Sequence, residues 1–253
     1  MKIAVITGAS SGMGREFVTQ LDQSEQFDEL WLIARRKERL EELQASVRAK
    51  VRAIPLDLGK PESIDTYKAL LEEHKPEVAV LVNAAGFGVF HAFADISLET
   101  QCDMLELNAR ALMAMTHVTL PYLTTGSRVY QLGSLSSFQP VPCINVYAAT
   151  KAFVLSFSRA LNVEWKSRGI RVMAVCPYWV KTEFFDRAKT DDTISYYNVM
   201  YEASGVVRQA IRDMKKGKDV SVHGKYARFQ VGLVKLLPHK LVMKIWCSQQ
   251  KIK

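Results

Sequence analysis

Short apolar runs alternate with amphipathic stretches along most of the chain, and this pattern predicts buried strands separated by helices. Runs rich in β-branched and other apolar residues are typical of parallel strands that are buried on both faces. Such runs occupy Lys2–Thr7, Glu29–Ala34, Val51–Leu56, Val78–Val82, Arg128–Leu132 and Ile170–Cys176, with a short seventh at Asp219–Val222. Apolar residues at helical spacing predict helices at Glu38–Val47, Leu98–Leu120 and Val146–Lys166.

Regular alternation of strand and helix predicts an α/β fold with a doubly wound parallel β-sheet, the arrangement of a Rossmann fold. The 253 residues suit a single domain of this kind with an ample core. We assign residues 1–222 to this domain and residues 223–253 to a basic, amphipathic C-terminal extension. The balance of 48% hydrophobic and 24% charged residues is ordinary for a soluble protein.

A glycine-rich turn joins the first predicted strand to the helix that follows it. Its residues are Gly8, Ser10, Ser11, Gly12, Met13 and Gly14, with the glycines spaced G-x-x-x-G-x-G. Glycine lets the backbone approach a pyrophosphate closely, and the N-terminus of the next helix offers free N–H groups and a positive dipole end. Strand, glycine turn and helix in this order therefore predict a dinucleotide-binding site.

The end of the second predicted strand indicates which dinucleotide is bound. A carboxylate here would bond the ribose 2′-hydroxyl of NAD and repel a 2′-phosphate. The chain instead has Ala34 followed by Arg35 and Arg36, and guanidinium groups suit a phosphate. We predict NADP(H) as the cofactor. The alternative is that the two arginines only cap a solvated loop.

The stretch from Ser134 to Lys151 carries the residues expected to perform chemistry. Tyr147 and Lys151 are four residues apart in a predicted helix, so the phenol and the ammonium face the same space. An unperturbed tyrosine has a pKa of about 10, and a nearby cation lowers that pKa by favouring the phenolate. The pair predicts an acid/base catalyst. Y-x-x-x-K by itself, however, also occurs on solvated helix faces.

Together these motifs resemble the short-chain dehydrogenase/reductase family, and the resemblance covers residues 2–222. It rests on the spacing T-G-x-x-x-G-x-G at Thr7–Gly14, N-A-A-G at Asn83–Gly86, Asn108 in the long helix, Ser134 thirteen residues before Tyr147, Y-x-x-x-K at Tyr147–Lys151, and Pro177 followed by Thr182. The segment VYAATKAFV is similar to the branch that contains hydroxysteroid dehydrogenases and long-chain ketoacyl reductases.

The resemblance implies catalytic roles for four residues. Tyr147 would donate a proton to a carbonyl oxygen during reduction, or remove one from an alcohol during oxidation. Ser134 would hydrogen-bond the same oxygen, and Lys151 would lower the pKa of Tyr147 and hold the nicotinamide ribose. Asn108 would hold a water that links Lys151 to solvent as a proton relay.

The resemblance also implies which residues contact the cofactor. The glycine turn would cradle the phosphates, Arg35 would hold the 2′-phosphate, and Thr182 would meet the carboxamide. Asp57 would meet the adenine, although it could equally cap the helix that begins near Pro61, and Asn83 would meet the adenine-side ribose. The predicted set is Gly8, Ser10, Ser11, Gly12, Met13, Gly14, Arg35, Arg36, Asp57, Leu58, Asn83, Ala84, Gly86, Tyr147, Lys151, Pro177, Val180 and Thr182.

The loops expected around the reacting carbon are apolar and aromatic. Leu135, Cys143, Ile144, Tyr178, Trp179 and Phe185 are predicted to contact the substrate. The family usually has Pro-Gly where this chain has Pro177-Tyr178, so we expect a pocket of different shape. We predict a large apolar ketone or secondary alcohol, with a hydroxysteroid or bile acid preferred and a 3-oxoacyl thioester as the alternative. The aromatic residues could instead only pack a lid against the core.

The C-terminal extension is strongly basic. Residues 215–253 hold ten Lys or Arg and one acidic residue, a charge of +9, so the other 214 residues sum to −1. Apolar residues from Val231 to Trp246 are interleaved with Lys235, Lys240 and Lys244. Such a stretch either packs on its own domain or a sister subunit, or makes weak contact with a membrane surface.

Partners and location follow from what the sequence lacks. No apolar run could span a bilayer, the first predicted strand begins at Lys2, and four widely spaced cysteines are expected to be free thiols, so we expect a cytoplasmic protein. The five histidines have no metal-ligand spacing, and no nucleic-acid-binding module is recognisable. The family resemblance implies a homodimer or homotetramer. A non-catalytic NADP(H)-sensing regulator is the alternative, which the complete catalytic set disfavours.

Overall fold

Seven parallel strands form one central sheet in the computed structural model, which describes residues 1–189 and 191–252. The strands are β1 (Lys2–Thr7), β2 (Glu29–Ala34), β3 (Lys50–Pro55), β4 (Glu77–Asn83), β5 (Arg128–Leu132), β6 (Arg171–Val175) and, later in the chain, β9 (Val220–Ser221). Their order is β3-β2-β1-β4-β5-β6-β9. The order reverses between β1 and β4, and the carboxyl ends of strands at such a point form a crevice for ligands. A second, two-stranded sheet pairs β7 (Trp179–Lys181) with β8 (Met200–Glu202).

Helices cover both faces of the sheet. They are α1 (Gly12–Ser24), α2 (Lys37–Glu41), α3 (Glu62–His74), α4 (Leu98–Leu105), α5 (Leu112–Thr119), α6 (Asn145–Glu164), α7 (Phe184–Ala188), α8 (Ala203–Lys215), α9 (Lys225–Leu236) and α10 (His239–Gln250). A π-helical segment, Glu106–Ala111, joins α4 to α5. Within the described residues, no helix is long and apolar enough to cross a membrane.

Alternation along each strand builds two apolar cores, one on each face of the sheet. Ala4 and Ile6 of β1 face a cluster that contains apolar side chains of α1 and α8. Ile3 and Val5 of the same strand face a second cluster with residues of α3, α5 and α6. Because both faces are covered, the central strands are rich in apolar residues, which is the pattern that made them recognisable in the sequence.

The fold confirms the predicted doubly wound parallel sheet, with differences at the ends of elements. The helix predicted at Glu38–Val47 is shorter, because α2 gives way to a 3₁₀ turn at Glu42–Ser46. Hydrogen bonds from backbone N–H groups to polar side chains fix the chain between this 3₁₀ turn and β3. Asp22 accepts hydrogen bonds from the backbone of Arg48 and Ala49, at 2.9 and 3.0 Å, and Gln44 accepts one from Val51 at 2.7 Å.

The two C-terminal helices pack against the domain. The Trp246 indole of α10 donates to the carbonyl of Pro142 at 3.0 Å. Gln250 is buried and exchanges hydrogen bonds with the backbone of Ser195 and Tyr196, at 3.0 to 3.1 Å. The extension therefore fixes the loop at Pro142 and the segment at Ser195 and Tyr196, and the domain boundary at residue 222 stays a prediction.

Candidate active site

A cavity of about 440 Å³ opens at the carboxyl ends of the strands, at the point where the strand order reverses. Its walls come from the glycine turn after β1, the loops after β2 to β6, and the C-terminal helices. One half is polar and lies beside the glycine turn and the arginines. The other half is aromatic, and Tyr147 lies between the two.

The glycine turn is shaped by close backbone contacts. Gly8 has a φ of +66°, and a Cβ atom there would lie 2.9 Å from the backbone of Ala84. A Cβ atom at Gly14 would overlap the carbonyl oxygen of Gly8. Thr7 supports the opposite wall, since its hydroxyl accepts hydrogen bonds from the N–H groups of Ala84 and Ala85 at 3.0 and 3.1 Å. Neither glycine can be replaced without displacing this wall.

The start of α1 suits an anion. Gly12, Met13 and Gly14 form its first turn and line the cavity. The side chain of the N-cap residue Ser11 makes no capping hydrogen bond, so it does not take up these N–H groups. Free N–H groups and the helix dipole favour a phosphate group at this position. The turn therefore fits the pyrophosphate of a dinucleotide.

Basic side chains border the polar half of the cavity. Arg35, Arg36 and Arg187 all line it. Arg36 donates to the Ser10 hydroxyl at 3.2 Å and forms an ion pair with Glu183 at 3.0 Å. Arg39, one turn further along, reaches the other oxygen of the same carboxylate at 2.6 Å. A hydrogen bond from Arg39, helped by one from Arg36, holds the pKa of Glu183 below its usual range against the opposing effect of burial. The segment after β7 is thus tied to the end of β2 across the cavity.

Asp57 also lines the polar half, and it shapes its own loop. Its carboxylate accepts a hydrogen bond from the N–H of Gly59 at 3.1 Å, and its carbonyl accepts one from the Ser63 hydroxyl at 2.7 Å. Leu58 lies beside it in the cavity wall. Asp57 therefore does not cap α3, whose N-cap residue is Pro61 without a side-chain cap, and its contact with an adenine stays a prediction.

Three of the four residues expected to perform chemistry, Ser134, Tyr147 and Lys151, lie together in the cavity wall. Tyr147 and Lys151 lie one turn apart on α6, and the Lys151 ammonium is 5.5 Å from the centre of the Tyr147 ring. Lys151 donates to the carbonyl of Leu132 at 2.7 Å. Ser134 follows β5 and hydrogen-bonds the Tyr147 phenol. A proton on the phenol therefore faces the same space as the Ser134 hydroxyl.

Burial dominates the protonation of this group. It raises the pKa of Tyr147 to about 12, although the hydrogen bond with Ser134 opposes the rise. It lowers the pKa of Lys151 to about 8. The net effect in the protein chain is a raised pKa of Tyr147, and the lowering of that pKa by Lys151 stays a prediction. Tyr147 is held protonated, and is ready to act as a proton donor.

Asn108 lies behind the catalytic residues, fully buried in the π-helical segment Glu106–Ala111. Its side-chain amide donates to the carbonyl of Phe87 at 2.8 Å and to the Thr150 hydroxyl at 3.2 Å, and accepts from the N–H of Phe87 at 3.0 Å. It thus clamps the loop after β4 to the helix that carries Lys151. Its side chain does not line the cavity, so a proton relay through Asn108 stays a prediction.

The other half of the cavity is a cluster of aromatic rings. Phe90 lies 5.9 Å from Trp179, 6.0 Å from Phe184 and 6.4 Å from Tyr147, measured between ring centres. Phe184 itself lies 5.6 Å from Tyr147. Leu135, Ile144, Tyr178, Trp179 and Phe185, all predicted to contact substrate, line the cavity. An apolar molecule placed here would meet the phenol directly.

The structure corrects two predicted contacts. The Asn83 side chain is buried beneath the cavity, where it donates to Thr116 at 3.0 Å and to Gln131 at 2.9 Å, and does not face a ribose. Cys143 does not line the cavity, because it sits in a left-handed turn with a φ of +61° and packs among the apolar residues around Ile144. The other residues predicted for the cofactor, Gly8, Ser10, Ser11, Gly12, Met13, Gly14, Arg35, Arg36, Asp57, Leu58, Ala84, Gly86, Tyr147, Lys151, Pro177, Val180 and Thr182, all line it.

Several residues of the cavity were not predicted. Glu183 and Arg187 line its polar half, and Gln230 and Trp246 reach it from the C-terminal helices. The Ser136 hydroxyl and the side-chain amide oxygen of Gln230 are buried in the cavity wall without a hydrogen-bond partner among the described residues. No local motif marks these positions, since they reach the cavity only through tertiary packing.

Comparison with known proteins agrees with this geometry. Residues 2–193 match the family model described as short chain dehydrogenase. The chain belongs to the short-chain dehydrogenase family. Members of this family with solved structures hold a nicotinamide dinucleotide, NADPH in one and NAD in another.

Two relatives show the range of substrates. The chain is 34% identical over 191 residues to a very-long-chain 3-oxoacyl-CoA reductase of Anas platyrhynchos, a match that covers 71% of this chain and 60% of that protein. It is 35% identical over 188 residues to sulfoacetaldehyde reductase 2 of Chromohalobacter salexigens, covering 72% of this chain and 74% of that protein. The family is thus shown to be one of oxidoreductases, whereas the substrates named for the two relatives differ widely.

Solved structures share the whole fold. A short-chain dehydrogenase from Sphingobium yanoikuyae in complex with NADPH has a TM-score of 0.79 and 27% identity, over 94% of this chain and 97% of that chain. A short-chain dehydrogenase/reductase from Burkholderia phymatum in complex with NAD has the same TM-score at 20% identity, over 92% of each chain. Likeness of fold therefore does not decide between the two nucleotides.

Proposed function

We propose that this short-chain dehydrogenase is an NADP(H)-dependent oxidoreductase that interconverts a ketone and a secondary alcohol on a large apolar substrate. The observation that carries the proposal is the position of the Tyr147 phenol, where the nucleotide-shaped half of the cavity meets the aromatic half. A carbonyl lying among the aromatic rings would be within reach of both the phenol and the Ser134 hydroxyl.

The residues divide the work as follows. The nicotinamide, when bound, supplies or accepts the hydride. Tyr147 donates its proton to the carbonyl oxygen during reduction, and Ser134 fixes the position of that oxygen. Lys151, anchored on the Leu132 carbonyl, places a positive charge next to the phenol and stabilises the phenolate that remains. The aromatic rings exclude water from the reacting carbon.

The arginines support NADP(H). Arg35 and Arg36 follow β2 at the place where an NAD enzyme would carry a carboxylate, and both line the cavity. Glu183 lies within 3.0 Å of Arg36, but its charge is shared with Arg39, so the local balance stays positive. A phosphate beside Arg35 and Arg36 would be held by charge and by several N–H donors.

The substrate class is inferred from the aromatic half. Phe90, Trp179, Phe184, Phe185 and Trp246 surround a space whose polar groups are few. A rigid, largely apolar ketone such as a steroid or bile acid fits this lining, and is the preferred substrate. A long-chain 3-oxoacyl thioester is the second candidate, favoured by the similarity to the 3-oxoacyl-CoA reductase.

A substrate panel tests the proposal. NADPH and NADH oxidation is followed by absorbance with keto-steroids, keto-bile acids and long-chain 3-oxoacyl thioesters, with Tyr147→Phe as the control. We expect turnover of a keto-steroid with NADPH, and none in the variant. Thioester turnover alone would establish the second candidate. Tight NADPH binding without any turnover would overturn the proposal in favour of a non-catalytic NADP(H)-binding regulator.

We also propose a homodimer formed through the outer faces of α4, α5 and α6. Leu105, Met113, Phe153 and Val163 are exposed on these helices, and Phe153 stacks on Phe157 with ring centres 5.4 Å apart. Burial of such a face in a second subunit would remove apolar area from water. Light scattering should give twice the monomer mass for the wild type and the monomer mass for Leu105→Glu/Phe153→Glu.

We infer a cytoplasmic location from the four unpaired cysteines.

A further inference from the structure

Helix α9 exposes a row of large apolar side chains on its outer side. Phe229 is 69% exposed, Leu233 41% and Leu236 83%. Their spacing of four and three residues places them on one face of the helix. Ala227, Val231 and Val234 are buried on the opposite side. The helix is therefore apolar on both sides, although its inner side alone is needed to pack it on the domain.

Helix α10 also exposes large apolar side chains. Leu241 and Ile245 are each 43% exposed and lie one turn apart, while Val242 and Gln250 of that helix are buried. The two helices are separated only by Leu237 and Pro238. Five exposed apolar side chains thus occur within seventeen residues at one end of the chain.

Positive charge surrounds these side chains. Residues 225–250 contain five Lys or Arg and no Asp or Glu. Lys225, Arg228, Lys240 and Lys244 are exposed, and none of them forms an ion pair within the part of the chain that the structure describes. Residues 1–214, by contrast, sum to −1. An apolar face with a cationic border and no acidic group is the pattern of a helix that lies on an anionic membrane surface.

The inner sides of the same helices face the active site. Gln230 of α9 and Trp246 of α10 line the cavity, and Trp246 lies in its aromatic half, 6.5 Å from Trp179 between ring centres. One pair of helices therefore separates the substrate half of the cavity from the exposed apolar face. An enzyme resting on a bilayer through this face would have the aromatic half of its cavity close to the lipid, where apolar molecules concentrate.

We propose that the outer face of α9 and α10 docks on an anionic lipid bilayer. The apolar side chains of Phe229, Leu233 and Leu236 enter the boundary between headgroups and acyl chains, and Lys225, Lys240 and Lys244 contact the headgroup charges. A second copy of the chain is a poorer occupant, because it would bring the same five positive charges onto the face. The proposal stands independently of the catalytic function.

Flotation of the full-length protein with vesicles tests the docking. At 0.1 M salt the protein should float with vesicles of phosphatidylcholine and phosphatidylglycerol and stay at the bottom with phosphatidylcholine alone. Phe229→Ser/Leu233→Ser/Leu236→Ser should abolish flotation. Lys225→Gln/Lys240→Gln/Lys244→Gln should weaken vesicle affinity by about a hundredfold, at about fivefold for each lysine. Raising the salt from 0.1 M to 1 M should also weaken the vesicle affinity of the wild type, because the charges are then screened.

Matched variants separate docking from general changes in charge and surface. Phe93→Ser/Leu98→Ser removes apolar side chains that are 59% and 75% exposed elsewhere, and Lys60→Gln/Lys75→Gln/Lys166→Gln removes the same charge outside α9 and α10. Both should float like the wild type, and circular dichroism confirms that each variant is folded. The proposal is overturned if the wild type does not float with anionic vesicles, or if the α9 variant floats as well as its control. It is also overturned if the α9 variant changes the oligomeric mass instead, since a second copy then covers the face.

Discussion

The two halves of the cavity are built by different means. The nucleotide half is formed mainly by the backbone of a glycine turn and of a helix N-terminus. The strands behind it, β1 and β4, end at the paired residues Thr7 and Asn83. The aromatic half is made of side chains from several separate segments, including Phe90, Trp179 and Trp246. Backbone geometry tolerates few sequences, whereas a wall of side chains can be rebuilt by substitution. The first half therefore depends on the dinucleotide motif of the sequence, and the second depends on side chains that no motif fixes.

Breaking the backbone half should have the largest effect. Gly14→Ala places a Cβ atom on the carbonyl oxygen of Gly8, so the turn or the start of α1 must move. We expect NADPH affinity to fall at least about thirtyfold, equivalent to about 2 kcal/mol. Calorimetric titration measures this loss. The control is Gly232→Ala, where nothing lies within 4 Å of the added atom. It should leave NADPH affinity unchanged and raise stability by up to about 1 kcal/mol, since glycine disfavours a helix interior.

Breaking the aromatic half should leave nucleotide binding intact. Trp179 lies 5.0 Å from Tyr197 and 5.9 Å from both Phe90 and Phe185, between ring centres. Trp179→Leu keeps an apolar side chain but loses the ring contacts. We expect the KM for the ketone to rise about tenfold, from the loss of about 1.4 kcal/mol of apolar contact, with NADPH affinity within twofold. Phe93→Leu, which changes an exposed aromatic ring outside the cavity, should alter neither. Equal losses of both affinities in Trp179→Leu would show that the halves are not separable.

The buried ammonium of Lys151, between the two halves of the cavity, lowers the free energy of unfolding. Lys151 has its pKa lowered by burial from 10.5 to about 8, which corresponds to about 3 kcal/mol. The unfolded chain keeps this proton up to about pH 10.5, whereas the folded chain releases it near pH 8. The cost is therefore full below pH 8 and disappears as the pH rises through 10.5.

Lys151→Met should accordingly stabilise the protein at pH 7 while abolishing turnover. The Leu132 carbonyl loses its donor, which costs about 1 kcal/mol, so we expect a net gain of about 2 kcal/mol and a midpoint higher by about 4 to 8 °C. Thermal unfolding at pH 7 and pH 10 measures the difference in midpoint between the variant and the wild type, and this difference should be smaller at pH 10. A variant that is less stable than the wild type at pH 7 would contradict this account of the buried ammonium.

The smallest expected effect sharpens the description of the nucleotide half. Glu183 competes with a 2′-phosphate for Arg36, at 3.0 Å. Glu183→Gln should raise the preference for NADPH over NADH by about three- to fivefold, the range of an exposed ion pair. Glu202→Gln is the matched control, because Glu202 pairs with Lys181 at 2.7 Å outside the cavity. Titrations with both nucleotides compare the variants, and an unchanged preference in Glu183→Gln would remove Glu183 from cofactor discrimination.

The sequence predicted those parts of the protein that depend on local pattern. Buried parallel strands are rich in apolar residues, and the predicted boundaries of β1, β2 and β5 agree with the structure. Gly8, Gly14, Tyr147 and Lys151 were found because their roles depend on spacing within one turn or one helix. Each of these signals lies within a few residues of the chain.

Contacts between distant segments could not be predicted in this way. Glu183 meets Arg36 across 147 residues, and Trp246 meets Pro142 across 104. Asn83 was assigned to a ribose because the motif places it at the end of β4, but Thr116 and Gln131 turn its side chain inward. The effect of burial on the pKa of Tyr147 could not be predicted either, since burial depends on the whole fold.

Single-turnover reduction by Tyr147→Phe, saturated with NADPH, tests the central claim most directly. The claim is that the phenol supplies the proton where two independently built halves meet. The account predicts NADPH affinity within about threefold of the wild type, and a hydride-transfer rate lower by at least about a hundredfold. A variant that transfers hydride at nearly the wild-type rate, or that no longer binds NADPH, would contradict the account.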